Sequence, residues 1–141
     1  MSANYLPDKA RERMIDAYLN GATIDVVLVS DAYTPSKAHV YLSDLTNELT
    51  CTGYTRKTLA GATISVDTPN HLGKLTGTPP VWATLGPATG GPIVGYAVFA
   101  KHGTVDGDSV IIGIMDVGVQ TNGGAFTLNP NATYSAFIWL A

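Results

Sequence analysis

The chain has 141 residues, enough for one domain that buries roughly 68% of the surface its unfolded form exposes, so a core is possible without disulfides or metals. Only 13% of residues are Asp, Glu, Lys or Arg, against about 25% in an average soluble domain, while 45% are hydrophobic and mean hydropathy is +0.15, which excludes disorder. A net charge of -3 with a pI near 5.4 excludes a broad basic nucleic-acid surface, and no apolar run approaches the ~20 residues of a membrane span.

Pro7 suits the first turn of a helix, and Asp8 and Glu12 sit near its positive end. Ala10, Met14, Ala17 and Tyr18 recur at helical spacing, and Asn20-Gly21 is a stop signal, so residues 7–20 are predicted helical with that narrow apolar face docked. Six of the nineteen charged residues lie in 8–16, which argues against a signal peptide; residues 75–141 carry only Lys101, Asp106, Asp108 and Asp116.

After Gly21 the period changes to two. Residues 23–30 (TIDVVLVS) read as a strand, 31–37 as a polar loop, and 39–42 as a short strand. Residues 48–52 and 54–59 flank Gly53, a candidate bulge or tight bend. A strand is predicted at 63–66, an extended Gly/Pro-rich loop at 69–80, and a strand at 81–85. Further on, 93–100 (IVGYAVFA) and 109–117 (SVIIGIMDV) are strands, Asn122-Gly123-Gly124 is a turn, and strands follow at 125–129 and 134–140.

The pattern predicts a mainly β fold, an antiparallel β-sandwich or open barrel preceded by one short N-terminal α-helix. It is read as a single domain over 1–141, with a helical segment at about 1–21 and a β region at about 22–141. The C-terminal strand is apolar on both faces, so it is expected to be central or to meet another subunit. Tyr134, Phe137, Ile138, Trp139 and Leu140 are therefore candidate oligomer-interface residues.

Few residues invite a chemical role. His39, His71 and His102 are scattered, with no metal-ligand spacing. Asp106-Gly107-Asp108-Ser109 has the opening letters of a calcium loop but no later acidic ligand at the required spacing, and a turn explains it. Cys51, the single cysteine, has no partner for a disulfide and no evident activating base. No serine has a nucleophile-elbow context. Tyr33, Tyr41, Tyr54 and Trp82 are candidate sugar-stacking aromatics, although such residues more often serve a core. No catalytic, metal or cofactor-binding residue is assigned, no cofactor is expected, and the protein is expected not to be an enzyme.

One ordered set of features does point to a family. Glu48 precedes Gly53-Tyr54-Thr55-Arg56; Trp82 follows; then come Val94-Gly95-Tyr96-Ala97-Val98-Phe99, Ile111-Ile112-Gly113-Ile114-Met115-Asp116 and Gly124-Ala125-Phe126-Thr127-Leu128. Over roughly residues 14–141 this order resembles a group of small tailed-bacteriophage virion proteins described as head-decoration, head-fibre or tail-associated. The resemblance implies a structural role on the virion, made in the bacterial host cytoplasm, with Gly53, Tyr54 and Arg56 supporting the fold. It implies a capsid-surface decoration protein, expected as a homotrimer bound to the major capsid protein, with no nucleic-acid or membrane partner. The alternatives are a tail- or neck-associated fibre or adaptor component and a host-glycan-binding module.

Overall fold

The computed structural model describes residues 7–19 and 21–140. Helix α1 spans Asp8–Leu19, followed by strands β1 (Ile24–Ser30), β2 (Lys57–Thr58), β3 (Thr63–Asp67), β4 (Leu72–Thr76), β5 (Val81–Trp82), β6 (Ile93–Lys101), β7 (Val110–Gln120), β8 (Phe126–Thr127) and β9 (Ile138–Leu140). The fold is mainly β, antiparallel and sandwich-like, with one short N-terminal helix. Its sheets run β2-β1-β6-β7, β3-β4-β9 and β5-β8.

The centre is the β1–β6 pair. β1 is apolar at successive positions because both its faces are covered. Val26 and Leu28 enter a core with Leu75, Trp82, Phe99 and Phe137, while Val27 and Val29 face Tyr33, Leu42 and Val98 on the other side. The first core lies between the large sheet and the β3-β4-β9 sheet. The second is closed by the loop that carries Tyr33 and Leu42, so a polar-looking segment becomes a lid over apolar residues.

Bulges adjust the register along β6 and β7. Pairing shifts between Val94 and Tyr96 and again between Phe99 and Ala100. Gly118, at φ +70°, lies within the first irregularity, where an L side chain would be strained. At the second, Ile112 is the extra residue, and Ile111 and Ile112 serve opposite cores.

Several expectations need correction. Of the proposed docking stripe on α1, Ala10 is half-buried, but Met14 is 63% exposed and Ala17 and Tyr18 are also exposed; Ile15 and Leu19, one turn apart, are half-buried as well. Leu19 and Ala22 continue into the first core, so the stripe that leads into the sandwich wins over the longer one that does not. The helix ends through Ala22 N–H to Leu19 C=O (2.9 Å), with Gly21 at φ +71°; Asn20 lies outside the described residues, as do residues 1–6.

The stretch read as a loop at 69–80 contains β4, the middle strand of its sheet, paired with β3 on one side and β9 on the other. Gly73 and Lys74 break the alternation that would have marked it. Residues 39–42 and 48–52 are not strands but contribute isolated bridges, Tyr41 to Val110 and Glu48 to Val29. The C-terminal strand is only three residues long and lies at a sheet edge, not at the centre. The chain before it turns, with Ser135 at φ +51° and Asn131 bridged to Ala136.

Candidate functional site

The densest polar cluster is built on Gly53-Tyr54-Thr55-Arg56. Gly53 has φ +82°, and a Cβ there would lie 1.7 Å from the Thr84 carbonyl oxygen, so two backbones meet where no side chain fits. That bend sends Tyr54 inward and Arg56 outward along the same side. The Tyr54 hydroxyl donates to Glu48 Oε2 (2.6 Å) and accepts from the Leu28 N–H of β1 (3.2 Å). Arg56 donates to both Glu48 oxygens (2.8 Å each) and to both oxygens of Asp106 (2.7 and 3.0 Å). Trp82 lies against this segment, its indole Nε1 donating to the Thr55 carbonyl (2.7 Å).

The electrostatics follow from this geometry. Burial works against the Glu48 carboxylate, but hydrogen bonds from Arg56 and Tyr54 outweigh it and hold its pKa below the usual range. Arg56 likewise lowers Asp106, and its two carboxylates raise the guanidinium further above its ordinary value. Burial, then the Glu48 partner, pushes Tyr54 well up. Two carboxylates share the one guanidinium, so Arg56 is fully engaged and offers no spare charge to a ligand. The cluster can fasten the 48–56 segment to β1 and to the turn at Asp106–Asp108.

The remaining candidate residues scatter. The Tyr33 hydroxyl shares a 2.6 Å hydrogen bond with His39 Nδ1, His102 Nδ1 lies 2.7 Å from Asp25 Oδ2, and His71 lies in the turn before β4, in the other sheet. Cys51 is half-buried beside the first core. Asp106–Asp108 is a single 3-10 turn, with Asp106 engaged by Arg56 and Asp108 accepting from Val105 N–H (2.8 Å).

The aromatic candidates for sugar stacking divide by burial. Trp82 is 1% exposed and Tyr33 2%, so neither presents a ring to solvent, and Tyr54 is half-buried in the cluster; only Tyr41 stands well exposed. The proposed C-terminal interface also divides. Phe137 is 2% exposed and packs on Phe99 (ring centroids 5.4 Å apart), so it belongs to the chain's own core and is unavailable to a partner. Trp139, 38% exposed, stacks on Tyr134 at 4.9 Å, and Ile138 is half-buried against Gly113. Leu140 pairs with Gly73, but its side chain lies outside the described residues.

The sequence did not disclose the apolar groove beside Trp139. Its volume is about 390 Å³, and it runs between α1 and the β4–β9 edge, walled by Met14, Tyr18, Leu75, Ile112, Ile138 and Trp139. The only pointer was the surplus of apolar residues on two faces of α1. Set against family models, characterised proteins and solved structures, the chain matches none.

Proposed function

We propose that this chain is a structural virion protein of a tailed bacteriophage, a capsid-surface decoration protein that binds the major capsid protein as a homotrimer. The supporting observation is that the first part of the resemblance forms one connected unit: Tyr54 and Arg56 both bond to Glu48, and Trp82 bonds to Thr55 between them. A motif spread over 35 positions from Glu48 to Trp82 thus acts as a single structural brace. A brace of bidentate ion pairs suits a protein whose work is a durable repeated contact. The sparsely charged β region and the exposed Trp139, Met14 and Tyr18 suit a surface that is covered in an assembly.

The test is co-sedimentation of the purified chain with assembled shells of the major capsid protein. Saturable binding at a fixed ratio to capsid subunits is expected. Absence of binding to shells, with binding to isolated tails or necks, would move the protein to the fibre or adaptor role.

A further inference from the structure

We infer that α1 is a releasable lid over the β3–β4 sheet, hinged at Gly21 and latched at its last turn by Lys101 of β6. The lid belongs to the free chain, whatever particle carries it.

The helix lies on the sheet without being embedded in it. Among its described side chains none is buried: Ala10, Ile15 and Leu19 are half-buried, while Met14, Ala17 and Tyr18 are exposed. The sheet beneath differs, with Leu72, Gly73 and Leu75 of β4 all buried. The helix is also undercut on both flanks. The apolar groove follows its β9 side, and a second cavity of about 340 Å³, lined by Asp16, Ala22 and Ile64, follows the other. Leu19 and Leu75 border both cavities, so the seam between helix and sheet there is narrow. A helix of 12 residues is marginal in water and depends on its packed face. With so thin a seam, α1 belongs to the low-stability end of the fold, where local opening precedes global unfolding.

The hinge is set by what holds the chain on one side of it. His102 N–H donates to the Thr23 carbonyl (2.8 Å), and from Ile24 onward the chain is paired with β6. Gly21 has φ +71°, and nothing lies within 4 Å of the place where a Cβ would stand, so the backbone can turn there without collision.

The latch uses a helix-end carbonyl. The last four carbonyls of a helix lack intrahelical donors. Lys101 Nζ donates to the Tyr18 carbonyl (2.8 Å) and stands 4.1 Å from the centroid of the Tyr18 ring. One side chain, at the end of a core strand, thus caps the last turn and holds its aromatic ring, and its cation meets the negative end of the helix dipole. Once the latch lets go, Ile64 and Leu75 lose their cover and join Ile112, Ile138 and Trp139 in one apolar surface.

Native-state hydrogen exchange on the full chain tests the lid. The helix amides from Arg13 to Leu19 are expected to open together, with protection at least about a hundredfold below that of Val27 and Val98 in the central strand pair. Lys101→Met is expected to lower helix protection about three- to tenfold and to leave Val27 and Val98 unchanged. Lys101→Arg keeps a cation at the ring and the carbonyl, and is expected to retain wild-type protection. Helix amides as protected as the central strands would show that α1 leaves only on global unfolding. Rates graded inward from Asp8 would show fraying in place of a lid, and an unchanged helix in Lys101→Met would remove the latch. Each of these three results overturns the inference.

Discussion

Gly53 and Arg56 make separate demands on the same short segment. At Gly53 the demand is steric. The positive φ and the Thr84 carbonyl both refuse a Cβ, so Gly53→Ala is expected to cost about 3 kcal/mol or more, read as a fall in the midpoint of urea unfolding. At Arg56 the demand is electrostatic. The pairs are partly exposed, with Arg56 and Glu48 side chains at 35% and 30%, so solvent screening limits the effect. Arg56→Met is expected to cost only about 1–2 kcal/mol, mostly because Glu48 is left half-buried without its partner. The pH dependence has a definite sign. Glu48 and Asp106 have folded pKa values below their unfolded ones, so their contribution is complete above the unfolded carboxyl range of about 3.9–4.3 and is lost as pH falls through the depressed values. Stability measured from pH 6 to 2 should therefore drop more steeply in wild type than in Arg56→Met. Parallel curves would remove the brace from the account.

The C-terminal strand divides its neighbouring aromatics between inside and outside. Phe137→Ala should cost about 3–5 kcal/mol because it opens the core against Phe99, whereas Trp139→Ala should change the stability of the isolated chain by less than about 1 kcal/mol. Equal losses would mean that Trp139 is as structural as Phe137. This division was not legible in the sequence, where 134–140 alternates apolar residues on both faces and reads as one long strand. Period-two patterning cannot show that Ser135 adopts a positive φ and ends the extended run. By contrast, residues 23–30 and 93–100 were legible because both core strands are covered on each side, and their composition records that directly. β4 was hidden for a related reason: Gly73 is buried without a side chain, so half of its pattern is silent, and the strand is specified by its partners β3 and β9. Of the candidate site, Gly53, Tyr54 and Arg56 could be singled out from sequence, but their link to Asp106, fifty positions on, is purely tertiary.

At the scale of the whole molecule, the uneven charge gains a physical setting. The charges of Glu48, Arg56 and Asp106 brace one side, while exposed apolar residues stand at several places, among them Met14, Tyr18 and Trp139 at the groove beside α1. Under the proposed reading, this exposed apolar surface is covered when the chain is placed repeatedly on a capsid lattice. The proposed virion role is tested most directly by the number of copies per particle, obtained by quantitative mass spectrometry on purified virus particles that carry the chain, with the major capsid protein as internal standard. A decoration protein set on the capsid lattice predicts copies on the order of hundreds, in fixed ratio to capsid subunits. A dozen or fewer, or none, would contradict it.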